Sequence, residues 1–105
     1  MSHLQMSTTK IIPSAWDGLT QEQNDAQSMA IFGVIAKHGG DVKVTAYSAV
    51  TGCLLSIIAY PDEQAAKRSV ADVWALRTLE FVSVEGLWDI GEWTAMVRAA
   101  TAAVA

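Results

Sequence analysis

The chain reads DVKVTAYSAV over Asp41–Val50 and GCLLSIIAY over Gly52–Tyr60. In the first stretch Val42, Val44 and Ala46 alternate with Lys43, Thr45 and Tyr47. In the second, Cys53, Leu55, Ile57 and Ala59 alternate with Leu54, Ser56, Ile58 and Tyr60. A period of two marks a strand, because successive side chains leave a strand on opposite faces. Only a short turn at Thr51–Gly52 separates the stretches, so they predict an antiparallel hairpin.

Helical patterns flank the hairpin. Upstream, Thr20 and Gln23 have the spacing of a capping box, in which the Thr hydroxyl and the Gln amide satisfy each other's backbone N–H groups. The helix that follows runs to about Lys37. Its polar, acidic first turns, Gln21–Asp25, suit the positive end of the helix dipole. Its second half, Met29–Ala36, is apolar nearly all round and predicts burial. Gly33 lies inside it at a cost of about 1 kcal/mol relative to Ala, for which close packing onto a sheet is the expected compensation. Gly39–Gly40 stops the helix. Downstream, Asp62 is the expected N-cap of a second helix, with Ala66, Val70, Val73, Trp74 and Arg77 on one stripe and an end near Leu79. Glu63–Lys67 and Arg68–Asp72 have ion-pair spacing on its outer face.

Two weaker alternations complete the pattern. His3–Lys10 predicts a first strand, ended by Ile11–Ile12–Pro13 because Pro lacks a ladder N–H. Pro13–Leu19 reads as a connection carrying Trp16. Phe81–Trp88 predicts a fourth strand with a bulge at Gly86, and Asp89 with Glu92 caps a last helix over about Ile90–Val104. Strand–helix–strand–strand–helix–strand plus a C-terminal helix predicts an α+β fold: a ferredoxin-like βαββαβ sandwich with a four-stranded antiparallel sheet, in one domain over residues 1–105.

Composition bounds function. Net charge is −4, and Lys67–Arg68 is the one adjacent basic pair, flanked by Glu63 and Asp72. Nucleic-acid binding needs clustered Lys and Arg to displace counterions, so neither nucleic acid nor a membrane surface is an expected partner. Cys53 is the single cysteine, which forbids an intramolecular disulfide and leaves no metal-ligand spacing. It reads as a small buried hydrophobe. No secretory signal and no apolar run near 20 residues is visible, so a soluble, cytoplasmic protein is expected. Half of the residues are hydrophobic, 51%, with four tryptophans. That surplus points to apolar surface covered by a second copy of the chain.

Parity sorts the strands onto two faces. Leu4, Met6, Val42, Val44, Ala46, Cys53, Leu55, Ile57, Val82 and Val84 form an apolar face, expected to lie under the helices. His3, Gln5, Ser7, Lys43, Thr45, Tyr47, Leu54, Ser56, Ile58, Tyr60, Phe81, Ser83 and Glu85 form a mixed face, expected to meet a twin sheet or to line a cavity.

With this element order, a length near 100 residues, a mixed open face and an extra C-terminal helix, the chain resembles the dimeric α+β barrel superfamily. The matching segments are Met1–Ile12, Gly40–Asp62 and Glu80–Trp88, with Trp74 late in the second helix. The match is architectural, covers most of the chain and has no diagnostic motif. It places this sequence near the antibiotic-biosynthesis-monooxygenase-like and stress-responsive barrel proteins, in which two chains pack sheet against sheet. It implies a homodimer. In the monooxygenase members the pocket lies between helices and sheet and a Trp of the second helix helps to line it; Trp74 matches that position loosely. Haem-degrading members carry an iron-ligating His late in that helix and an Asn on the first strand. Here Arg77 and Thr78 stand at the first position and Gln5 or His3 at the second, so no haem, other cofactor or metal is expected.

The remaining candidates come from residue chemistry. His3 has the ordinary pKa for proton shuttling, against a frayed terminus. Glu85, among Phe81, Ser83 and Tyr47, is the candidate proton-abstracting carboxylate, against a simple pair with Lys43. Gln5, Tyr47, Trp74 and Phe81 are candidate ligand contacts, with core packing the competing reading for Trp74. His38 and Asp89 read as helix caps. No Ser–His–Asp order or phosphate-binding Gly loop is present. Three functions stay open: a homodimer binding a small, partly apolar molecule between sheet and helices, a cofactor-independent monooxygenase- or isomerase-type enzyme, and an interaction module with no pocket.

Overall fold

The structure, a computed structural model, describes residues 2–104. Strand β1 spans His3–Ile11 and is followed by a one-turn helix α1 (Pro13–Trp16) and the long helix α2 (Gln21–Lys37). The hairpin is β2 (Asp41–Ser48) and β3 (Cys53–Tyr60). Helix α3 (Glu63–Ala75), β4 (Leu79–Leu87) and α4 (Ile90–Val104) complete the chain. The four strands form one antiparallel sheet in the order β2-β3-β1-β4. This is the ferredoxin-like α+β arrangement expected from the sequence, with the C-terminal helix added.

Local chemistry sets the helix ends. Thr20 Oγ1 accepts from the Gln23 backbone N–H at 3.1 Å, and Gln23 Oε1 accepts from the Thr20 N–H at 3.0 Å, closing the expected capping box. Gly39 turns left-handed (φ 76°), and Gly40 N–H then donates back to Ile35 O at 2.9 Å. A side chain at Gly40 would collide with Ile35 and Tyr60. Asp62 caps α3 through the Ala65 N–H at 2.7 Å. Helix α1 is a turn that the connection had not suggested; Pro13 at its first position has the φ a helix needs and no N–H to satisfy. Helix α3 stops at Ala75, four residues short of the expected end, because Arg77 adopts φ 59° and reverses the chain into β4. The strand consequently starts at Leu79 rather than Phe81.

The two faces of the sheet are the reverse of the sequence expectation. The register puts Gln5, Ser7 and Thr9 of β1 beside Ile58, Ser56 and Leu54 of β3. These side chains lie under α2 and α3, and Gln5, Ser7, Thr9, Ile58 and Tyr60 are buried. Leu4 and Met6 pair with Ala59 and Ile57, and Val44 and Ala46 with Ile57 and Leu55. This apolar set looks away from the helices, where Val44 is 47% exposed. Two bulges break the simple parity. Lys43 is an extra residue in β2, which sends Val42 to the helix side with Ile58. Val82 is an extra residue in β4, so Val84 pairs with Ser7 and Glu85 with Met6. Val42 and Val84 therefore share the helix-side face, and Glu85 shares the open one.

The core between sheet and helices is Ile35, Ile58, Tyr60, Ala66, Val73 and Leu79, with Trp16, Ile31, Val34, Val42, Leu54 and Phe81 packed around it. The apolar half of α2 is less buried than expected: Met29 and Phe32 are exposed, and a Cβ at Gly33 would meet nothing within 4 Å. Gly33 has no packing compensation among the described residues. On α3, Lys67 reaches Glu63 at 3.6 Å as expected, whereas Asp72 pairs with His38 rather than Arg68.

Helix α4 stands apart. It has no buried residue, and among the described residues no strand or other helix packs extensively against it. The molecule is accordingly 64 Å long with a radius of gyration of 16.9 Å, against about 13 Å for a compact chain of this length.

Candidate functional site

A cavity of about 160 Å³ lies between the helix-side face of the sheet and helices α2 and α3. Its floor comes from alternate residues of the strands: Ser7, Thr9 and Ile11 of β1, Leu54, Ser56, Ile58 and Tyr60 of β3, Thr45 of β2, and Leu79 and Phe81 of β4. Its roof is Ser28, Ile31, Phe32 and Ile35 of α2 with Ser69, Val70 and Val73 of α3, and Trp16 closes one side. Ile11, Phe32 and Thr45 are the exposed members of this lining.

Two properties define its chemistry. The lining holds seven hydroxyls, on Ser7, Thr9, Ser28, Thr45, Ser56, Tyr60 and Ser69, among aliphatic and aromatic groups. It holds no Asp, Glu, Lys, Arg or His. A charge entering such a space would lose its hydration without a partner. The Tyr60 hydroxyl donates to Ser69 Oγ at 2.8 Å in a buried bond that ties β3 to α3. Burial pushes the Tyr60 pKa above its ordinary value near 10, and the bond to Ser69 offsets part of that rise. Trp16 Nε1–H donates to Thr78 O at 2.9 Å, and Ile12 N–H donates to the same carbonyl at 3.0 Å, fixing the cavity's Trp side to the start of β4.

Gln5 pairs with Ile58, a lining residue, but does not itself line the cavity. It is only 4% exposed, and its Nε2 has no hydrogen-bond partner. Thr78 Oγ1 is the other buried side-chain atom in that condition among the described residues. An unpaired buried donor is costly, about 1–3 kcal/mol.

The residues singled out from the sequence are dispersed. Phe81 lines the cavity, and Gln5, one pair along β1 from Ser7, does not. Trp74 is half-exposed and stacks on Phe81 (centroids 5.7 Å apart, planes 10° apart), lining a shallow groove with Ile12, Arg77, Leu79 and Glu80. Tyr47 pairs with Leu54 on the helix side yet is 66% exposed near the hairpin turn. His3 sits on the helix side, its ring 3.3 Å from where a Gly86 side chain would begin. Glu85 is exposed on the opposite face, across from Met6. Two strands, β1 and β3, separate its edge strand from the one that carries Lys43, and Lys43 pairs with Asp41 at 2.6 Å. His3 and Glu85 are thus not brought to one place. His38 closes α2 as expected and binds Asp72 of α3 at 2.7 Å; that hydrogen bond holds the Asp72 carboxyl below its usual value of 3.8.

Ser7 and Ser56 belong to the mixed face read as meeting a twin sheet or lining a cavity, and they line it; Thr9, Ser28 and Ser69 were missed as site residues. The available signal was Ser69, which falls on the inward stripe of α3 between Ala66 and Val73. Among the described residues no group of three or more His, Cys, Asp and Glu is placed to hold a metal ion, and no helix is long and apolar enough to cross a membrane.

No family model matches the chain, and no curated protein matches it in sequence. Solved structures do. The structural-genomics protein YJCS superposes with a TM-score of 0.52 at 12% identity, over 85% of this chain and 99% of that one. The ACT domain from GTP pyrophosphokinase of Chlorobium tepidum gives a TM-score of 0.45 at 13% identity, over 83% of this chain and 97% of that one. At these identities the likeness speaks for architecture alone, and together with the strand order it makes the chain a ferredoxin-like α+β domain.

Proposed function

We propose that this chain is a homodimeric binding domain that takes one small, neutral, partly apolar molecule into the cavity between the sheet and helices α2 and α3. The observation that carries the reading is the lining: hydroxyls and aromatic rings converge on about 160 Å³ with no charged group among them. A space of this size admits a molecule of about one aromatic ring. Mostly apolar walls with a few placed polar groups are the usual makeup of a ligand site. Ser7, Thr9 and Ser56 offer both donors and acceptors. Phe81 contributes ring contact directly, and Trp74 supports Phe81 from behind. The dimer rests on the apolar open face of the sheet, which is the reverse of the face first expected to meet a twin.

The test uses benzyl alcohol and acetophenone as probes, with benzoate as a charged control, followed by amide chemical shifts. The neutral probes are expected to saturate and to move Ser7, Ser56 and Ser69, while benzoate does not. Ser56→Phe fills the cavity and is expected to weaken the neutral probes at least tenfold with the fold retained. Absence of saturable binding by either neutral probe, or equal binding of benzoate, overturns the reading.

A further inference from the structure

Strand register gathers hydroxyls of the cavity floor into a line. Ser7 of β1 pairs with Ser56 of β3, and Ser56 pairs with Thr45 of β2. All three line the cavity. They follow one another straight across three neighbouring strands, about 4.8 Å apart, which is the separation of paired strands. On β3 the line is one residue wide, with Leu54 on one side and Ile58 on the other. Beyond Ser7 it ends at Val84 of β4. The roof is different. It presents mostly hydrocarbon, and of its two hydroxyls the one on Ser69 is already engaged by Tyr60. The cavity therefore has a direction, polar along one line below and apolar above.

Burial ranks the members of the line. Thr45 is exposed on edge strand β2, Ser56 is half-buried, and Ser7 is only 5% exposed. Water competes with a ligand at Thr45 and much less at the inner pair. That pair stands on the two central strands, each held by ladder bonds on both sides, so its spacing is fixed by the sheet. Thr9 is about 7 Å from Ser7 and from Ser56 by strand geometry, too far to serve a second group on the same small ring.

We propose that Ser7 and Ser56 set the specificity of the site by selecting a neutral ring that carries two uncharged polar groups meta to each other. Meta oxygens on a ring are separated by nearly the distance between paired strands. Ortho oxygens are closer and para oxygens farther. Each polar group then stands over one hydroxyl, which can donate or accept, and the unsubstituted edge of the ring points to the hydrocarbon of the roof. The inference rests on the binding site of the preceding section, and the experiment separates the two.

The probes are phenol, resorcinol, catechol and hydroquinone, titrated at neutral pH under argon and followed by amide chemical shifts. Resorcinol is expected to bind about tenfold tighter than phenol, the effect of one added buried hydrogen bond, and tighter than either of its isomers. Ser56→Ala and Ser7→Ala are each expected to bring the ratio of resorcinol to phenol affinity close to one. The ratio is read within each folded variant, so a general loosening of the cavity does not move it, and either variant suffices should the other fail to fold. Absence of saturable binding by all four probes overturns the binding site and the selection together. Saturable binding in which resorcinol has no advantage over phenol, catechol and hydroquinone overturns the selection alone. So does a resorcinol preference that survives the loss of either hydroxyl.

Discussion

At the scale of single residues, the bond from Tyr60 to Ser69 does the most to hold the site. It crosses from β3 to α3 in a buried setting, and both partners line the cavity. Tyr60→Phe leaves the Ser69 hydroxyl buried without its partner, and we expect a loss of about 1–2 kcal/mol in urea unfolding. The same residue gives a pH signature. Because burial raises its pKa in the folded state, the native protein holds the phenol proton more tightly than the unfolded chain does. That contribution is complete below pH about 10 and is lost as pH climbs through the raised value. Tyr60→Phe should remove this alkaline decline, which melting curves between pH 9 and 11 would reveal; an unchanged profile would mean that the phenol is not buried. The sequence did not announce the bond. Tyr60 sat on the mixed face, expected to meet a twin sheet or to line a cavity, and Ser69 was not on the stripe read for the helix. What could be read was that the N-cap of α3, Asp62, comes two residues after Tyr60, so that β3's last side chains must lie close to that helix.

At the scale of elements, the strands, the three long helices and their caps were legible because each has a local cause. Thr20 and Gln23 satisfy each other's backbone N–H groups, Asp62 accepts from Ala65, and Gly39 supplies a left-handed turn. Alternation in β3, and in β2 from Val44 onward, determined which residues share a face. It did not say which face the helices cover, since that depends on partners distant in sequence. The bulges at Lys43 and Val82 were also invisible, because an extra residue leaves the period of two intact on either side while switching its phase. The cavity followed the covered face, so of the two uses read for the mixed face, a twin sheet or a cavity wall, Ser7, Thr45 and Ser56 serve the second. Helix α2 offers a test of a smaller discrepancy. Gly33 occupies an interior helical position with open space where a Cβ would go. Gly33→Ala should therefore stabilise the fold by about 0.5–1 kcal/mol. A destabilised variant would show that a second molecule packs closely at Gly33.

For the whole molecule, the excess of apolar residues acquires a location. It does not sit in an enlarged core; it is spread over the open sheet face and along a projecting helix. The expectation of a twin chain therefore concerns a different surface from the one that alternation first suggested. The root of α4 also has an optical consequence. Trp88 and Trp93 stack with centroids 5.2 Å apart and planes inclined by 30°, and two indoles so close and so skewed couple their transitions. The ultraviolet dichroism should show a paired positive and negative band that Trp88→Phe abolishes. Its persistence on dilution would mark the hinge as ordered before any partner arrives; its growth with concentration would mark the hinge as shaped by the encounter.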